Sequence, residues 1–221
     1  MQSIKKAIVL WTGGKDCNLA LYEAKVAGFE IVRLVTFLIG EGNLRAHPIE
    51  IMQQQAESMN LPYELVSIEE PYEGSYEKEI TILKEKYGID TIVTGDIAEV
   101  HGNSNWITER CKPCGVNVFL PLWYLDRKQI LQKLIDLQFK VIFSCVKEPW
   151  FTEDWLGKEL DQEAIHGLEI IHKNTGLDLC GENGEYHTLV LDGPNYSNNI
   201  VLDNWIIQND GGTMFLEISK T

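Results

Sequence analysis

"IVLWTGGKDCNLAL", residues 8–21, decides the fold of the chain around it. Its apolar opening completes a run, Lys6–Leu10, that reads as a short buried strand, and its close begins a helix over residues 16–27 that Gly28 stops. Between them stand Thr12, Gly13, Gly14, Lys15 and Asp16. A plain turn needs only the two glycines. The added lysine and aspartate, at the mouth of a helix, mark a place where charge is held. First-turn N–H groups have no partner inside a helix and carry partial positive charge, and glycines let backbone approach phosphate oxygens with no Cβ in the way. Lys15 adds a mobile cation and Thr12 a hydroxyl donor. Asp16 suits that company as a helix cap or as a ligand to Mg2+. The spacing is neither G-x-x-x-x-G-K-[ST] nor G-x-G-x-x-G, and a bare two-glycine turn is the competing reading.

The alternation continues outward. "EIVRLVTFLI" (Glu30–Ile39) is a continuous β-branched strand, residues 49–59 are helical by spacing, and Tyr63–Ile68 is a strand. A helix over 76–87 and a strand over 90–95 follow. Repeated strand–helix units predict a parallel sheet flanked by helices, an α/β fold. After Pro121 the rhythm changes to an amphipathic helix over 126–137, a strand over 140–146 and a helix over 162–174 closed by Gly176. "HTLVLD", "NIVLDNWIIQ" and "TMFLEIS" then succeed one another without helices, as in an antiparallel meander. The expected division is an α/β domain over 1–125 that holds the glycine turn and a smaller α+β domain over 126–221.

Composition narrows the partners. With 19 basic and 33 acidic residues in 221, the formal charge is −14, which opposes long-range attraction to nucleic acid. The longest apolar stretch, "VFLPLWYL" at 118–125, is far short of the roughly 20 residues a bilayer needs. "AIVLW" near the amino terminus is likewise too short for a secretion signal. Five cysteines without such a signal are expected as reduced thiols in the cytoplasm. A symmetric homodimer is the base-rate expectation for assembly.

"LDLCGENGEYHTLVLDGP", residues 177–194, is the other unusual passage. Asn183-Gly184 between alternating flanks signals a type I′ hairpin, which is one complete explanation of it. Glu182, Glu185 and His187 crowd ionisable groups around that tip, which a purely structural turn does not require. Such a cluster suits recognition of a cationic or metal-bound substrate, or a base for an attacking amine.

"TGGKDC", residues 12–17, resembles the S-G-G-x-D-[ST] motif of the PP-loop ATP pyrophosphatases. Thr12 keeps the serine hydroxyl, while Cys17 replaces the final hydroxyl residue with a weaker donor. With "CGENGEYHTLVLDGP", and with "VTGDI" (93–97) and "PLW" (121–123) in order, essentially the whole chain resembles the diphthine–ammonia ligase family. The resemblance implies ATP and Mg2+ as cofactors and an amide ligase: a carboxylate is adenylated, pyrophosphate leaves, and ammonia displaces AMP. It assigns Thr12, Gly13, Gly14, Lys15 and Asp16 to the phosphates, with Asp16 the Mg2+ contact. Gly95 and Asp96 become nucleotide contacts, and Thr36 and Phe37 border adenine. Lys15, Asp16, Glu182, Glu185 and His187 are the catalytic candidates. Glu182, Asn183, Gly184, Glu185 and His187 would hold the acceptor, with Arg110 and His47 as further candidates. Ammonia is expected from solution, since no stretch is large enough for a glutaminase.

The family pattern at the second motif is E-G-G-E-[FY]-E-T, whereas this chain reads Glu182-Asn183-Gly184-Glu185-Tyr186-His187-Thr188. An imidazole in place of an acid changes the charge at the acceptor site. The acceptor is therefore either protein-bound diphthine or a small molecule, such as a corrinoid carboxylate in cobalamin salvage. A non-catalytic ATP sensor is a rival of another class, opposed by the Lys15-Asp16 pair and the acidic second motif. A transfer RNA-modifying enzyme of the same superfamily is opposed by the charge. Cys111 and Cys114 have the spacing of half a metal site, but the other cysteines are scattered, so a reduced, partly buried pair is expected. Trp106, Trp123, Trp150 and Trp155 are expected in packing.

Overall fold

The computed structural model describes residues 5–40, 46–99, 104–202 and 204–218. They form two compact units. The first contains β1 (Lys6–Leu10), α1 (Lys15–Val26) from Asp16 onward, β2 (Glu30–Ile39), β3 (Tyr63–Ile68), α3 (Tyr72–Tyr87), β4 (Thr91–Val93), α4 (Trp106–Cys111) and β5 (Asn117–Phe119). Its five strands run in the order β3-β2-β1-β4-β5, every pair parallel. This is the parallel α/β sheet that the alternation predicts. Ile8, Val35, Ile68 and Ile92 of the sheet pack with Ile80 and Leu83 of α3 and with Ile107 and Cys111 of α4.

The order reverses at β1, so the crevice beyond the carboxyl ends of β1 and β4 is where an open parallel sheet binds ligands. The glycine turn follows β1, and Gly95 and Asp96 follow β4. Gly95 stands so close to α1 that a Cβ on it would lie 2.6 Å from the Asp16 carbonyl carbon and 2.7 Å from the Cys17 nitrogen. Only glycine permits that approach.

The second unit comprises Gly13–Lys15, α2 (Ile49–Ser58), α5 (Arg127–Asp136), β6 (Lys140–Lys147), a single 3-10 turn at Glu153–Trp155, α6 (Gln162–Thr175), β7 (Tyr186–Asp192), β8 (Trp205–Asp210) and β9 (Thr213–Ile218). Helix α2 interrupts the first unit in sequence, yet it bonds to β7. Gln55, fully buried, donates from Nε2 to the Val190 carbonyl at 2.7 Å. Asp126 and Asp161 cap α5 and α6 by accepting from Gln129 N and Ala164 N, and Gly176, left-handed, closes α6.

Three local expectations need correction. The late strands form no simple meander: the order is β7-β6-β9-β8, antiparallel throughout. Strand β6 is buried along almost its whole length, and a continuous apolar strand takes a central place with a neighbour on each side. Helix α3 begins at Tyr72 rather than 76, because Gly74 and Ser75 fall in its first turn after Pro71. Asn183-Gly184 makes no hairpin, since no strand precedes it and Asn183 is not left-handed. Asn183 N goes to the Glu185 carboxylate and Gly184 N to the Gly181 carbonyl, neither of them to a strand partner. Helix α4 and strand β5, both short, were not foreseen in the sequence.

Candidate functional site

The glycine turn is docked on β7 by its own backbone. Val190 N donates to the Gly13 carbonyl at 3.1 Å, and Lys15 N donates to Thr188 Oγ1 at 3.1 Å. Gln55 Nε2 adds a third tie to the Gly13 carbonyl at 2.9 Å. Gly13 has φ +75°, and a Cβ there would meet Gln55 Oε1 at 2.6 Å, so both conformation and space demand glycine. A Cβ on Gly14 would lie 3.2 Å from the Thr188 carbonyl oxygen and 3.4 Å from His47 Cε1.

Lys15 turns inward and is 3% exposed. Its Nζ donates to the Cys180 carbonyl at 2.5 Å and lies 5.1 Å from the centre of the Tyr186 ring, a cation–π arrangement. Tyr186 is itself fixed by Phe143 and Phe151, with centroids at 5.0 and 5.8 Å, and by its hydroxyl donating to the Leu179 carbonyl at 2.7 Å.

The loop that presents the Cys180 carbonyl is built around two carboxylates. Glu185, 3% exposed, accepts from Asp178 N at 3.0 Å, Asn183 N at 3.0 Å and Asn183 Nδ2 at 3.2 Å. Asp178 accepts from Cys180 N at 2.8 Å and from Arg127 Nε at 3.1 Å. The acidic cluster read in the sequence thus divides. Glu185 faces its own loop, whereas Glu182 is half-buried and Asn183 exposed.

His187 and His47 are brought together, edge to face with ring centres 5.2 Å apart. Burial first, and then the charges of Lys147 and Lys15, lower the His187 imidazole to about 4, so it is neutral at physiological pH. A neutral imidazole accepts a proton or a hydrogen bond.

In the first unit, Asp16 is half-buried in the first turn of α1, and the exposed Thr12 hydroxyl lies 3.6 Å from Cys17 Sγ. Asp96 accepts from Asn105 Nδ2, while Asn105 Oδ1 caps α4 by accepting from Thr108 N at 2.8 Å. Thr36 is committed to packing: its hydroxyl donates to the Trp11 carbonyl at 2.6 Å and accepts from Tyr63 OH at 2.9 Å. Phe37 stacks edge-on with Tyr76 at 4.9 Å. Arg110 is held by Glu77 at 2.8 Å and lies over the Trp106 ring at 4.9 Å. Its charge is already answered within its own unit.

Among the described residues no group of three or more His, Cys, Asp or Glu side chains could hold a metal. All five cysteines are free thiols, and burial pushes Cys111 up to about 12. Trp155 packs on Phe143 and Phe151, as expected of a structural tryptophan, but Trp106 is 43% exposed. No helix is long and apolar enough to cross a membrane.

Two family models match end to end: the diphthamide synthase N-terminal domain over residues 5–118 and the diphthamide synthase C-terminal domain over 126–221. The chain belongs to the diphthamide synthase family. It is 26% identical over 224 residues to the diphthine–ammonia ligase of Bos taurus and 25% identical to that of Homo sapiens. Each alignment covers 90% of this chain and 83% of the relative. A solved structure described as a predicted subunit of tRNA methyltransferase from Methanocaldococcus jannaschii is 16% identical, with a TM-score of 0.47 over 86% of this chain and 98% of that one. That likeness bears on neither substrate nor reaction.

Within the family's motifs, sequence reasoning missed the residues that hold the site in place. Thr188 was visible in the second motif as a hydroxyl beside His187. Gln55 and Arg127 carry no local signal, because each acts through contacts distant in the chain, and Asp178 joins a local bond to Cys180 N with a distant one to Arg127.

Proposed function

We propose that this protein is an ATP-dependent carbon–nitrogen ligase that amidates the carboxylate of diphthine with ammonia. Gly13, Gly14, the amino end of α1 and Lys15 bind the triphosphate, with the Thr12 hydroxyl as a further donor. Mg2+ enters with the nucleotide, and Asp16 is the carboxylate assigned to it, because magnesium bound to phosphates needs only one or two protein carboxylates. Gly95 and Asp96 follow β4 where nucleotides bind in such sheets.

A carboxylate oxygen attacks the α-phosphorus of ATP and pyrophosphate leaves, giving an acyl adenylate. Ammonia then attacks the acyl carbon, AMP leaves, and the nitrogen loses a proton. Fixed positive charge on the phosphates lowers the first barrier, and exclusion of water protects the adenylate. His187, neutral and paired with His47, is placed to take the proton that the nitrogen sheds. Glu182 remains the acidic candidate for the acceptor. Glu185 serves the loop rather than the acceptor, its oxygens being occupied by N–H groups. Five free thiols suit a reducing compartment, which supports a cytoplasmic location.

The observation that carries this reading is Lys15, a buried ammonium directly after two glycines at a helix amino end. Incubating the protein with Mg·ATP, ammonium and diphthine-bearing protein, or a panel of small carboxylic acids, tests it. Formation of the carboxamide with AMP and pyrophosphate is expected from diphthine. Amidation of a small acid alone would move the acceptor, and no amide from any acid would defeat the reading.

A further inference from the structure

The acceptor region carries a cation that the motifs do not announce. Lys147 ends β6 and continues the β6–β7 ladder, its N–H donating to the Glu185 carbonyl at 3.0 Å. In that ladder Cys145 stands opposite His187 and Val146 opposite Tyr186. Side chains two apart on a strand share a face, and directly opposed residues do too. Lys147, Cys145 and His187 therefore occupy one face of the sheet. The Lys147 ammonium lies over the loop tip, where a Cβ on Gly184 would come within 3.3 Å of Nζ.

Two further facts set Lys147 apart. It is half-buried, and no carboxylate of the described residues lies in ion-pair range of it, in a chain with 33 acidic residues. Lys112, Lys128 and Lys158, by comparison, each hold a glutamate. Nor does the nearest acid of its own ladder answer it, because the Glu185 oxygens are occupied by loop N–H groups. Cys145, His47 and Lys15 are titratable groups on or near this face, and none of the three supplies a negative charge: burial raises the Cys145 thiol. Lys147 thus brings to this face a cation with no carboxylate of the described residues in ion-pair range, an arrangement that draws an anion.

We propose that Lys147, with His187, seats the reacting carboxylate of the acceptor, so that this face selects an anionic group rather than the cationic one that an acidic loop would suggest. Lys147 binds by charge and hydrogen bond, and His187 lies beside it as the neutral partner. The assignment rests on the amide-ligase reading for its substrate but not for its charge logic. The two are therefore tested separately.

The first measurement needs no turnover. The His187 imidazole is titrated by NMR in the full chain, with propionate or with tetramethylammonium chloride added at equal ionic strength. Propionate is expected to raise the His187 midpoint, because a bound anion favours the imidazolium, and tetramethylammonium is expected to leave it unchanged. The propionate effect should vanish in Lys147→Gln and persist in Lys147→Arg. No response to propionate, or an equal response in Lys147→Gln, would overturn the assignment even if amidation is confirmed.

The second measurement is kinetic. In Lys147→Gln the acceptor KM should rise at least tenfold while the KM for ATP stays within twofold, with Lys147→Arg restoring most of the loss. A parallel rise in the KM for ATP would make Lys147 a phosphate ligand instead and overturn the proposal. Failure of the wild-type protein to amidate diphthine would defeat the functional reading alone, leaving the titration to decide on Lys147.

Discussion

The Lys15 ammonium donates to the carbonyl of Cys180, 165 residues further along the chain, at 2.5 Å, and both residues are buried. One hydrogen bond thus joins the first motif to the second. The lysine that follows the glycine turn is held by the loop that carries the second acidic motif. What shapes that loop therefore sets where the lysine stands.

Glu185 is the first test of that dependence. Glu185→Ala removes the acceptor of two part-buried backbone N–H groups, the two hydrogen bonds together contributing about 1–3 kcal/mol. Chemical denaturation should show a loss in that range, with Glu185→Gln recovering part of it through its remaining oxygen. Because the loop carries the Cys180 carbonyl, the KM for ATP should rise in both variants while the acceptor KM changes less. An acceptor KM that rises alone would restore Glu185 as an acceptor contact.

Gly95 tests the close approach to α1. In Gly95→Ala the new methyl meets the backbone of Asp16 and Cys17 inside ordinary contact distance, and backbone cannot yield as a flexible side chain does. The expected cost is about 1–3 kcal/mol, with weakened nucleotide binding. Unfolding midpoints and ATP titration of the refolded variant measure both. Unchanged stability would mean that the β4 loop can retreat from the helix.

His187 gives the fold a pH signature. Its folded pKa, about 4, lies below the ordinary value of 6.5, so between the two the unfolded chain takes up a proton that the folded chain does not. This contribution to stability is complete above pH 6.5, falls as the pH drops toward 4, and is flat below. Urea midpoints across that window should decline less steeply in His187→Gln than in the wild type. Equal slopes would show that His187 titrates normally.

How much of this was legible in the sequence depends on how far each signal reaches. The parallel sheet was readable because its strands are continuous apolar runs and its helices are long enough to show a period. Gly13, Gly14 and Lys15 stood out because a glycine turn and the helix it opens are contiguous in the chain. The second motif was readable as unusual but not as a shape. Asn183-Gly184 has the composition of a hairpin, yet Asn183 N goes to the Glu185 carboxylate and Gly184 N to the Gly181 carbonyl rather than to a strand partner. Arg127, Asp178, Gln55 and Lys147 stayed hidden because their contacts form only once α2, α5, β6, β7 and the loop after α6 are assembled. Arg110, plausible as a free cation in the sequence, proved to be neutralised by Glu77.

If the glycine turn and Lys15 hold ATP for attack at its α-phosphorus, one oxygen of the acceptor carboxylate must end in AMP. The most direct measurement supplies an acceptor whose carboxylate carries heavy oxygen and follows that label by mass spectrometry in wild type and in folded Lys15→Ala. Labelled AMP with unlabelled pyrophosphate is expected from the wild type, and a rate lower by two orders of magnitude or more in the variant, roughly the loss of one strong transition-state contact. Label in inorganic phosphate with release of ADP, or full turnover by Lys15→Ala, would contradict that role.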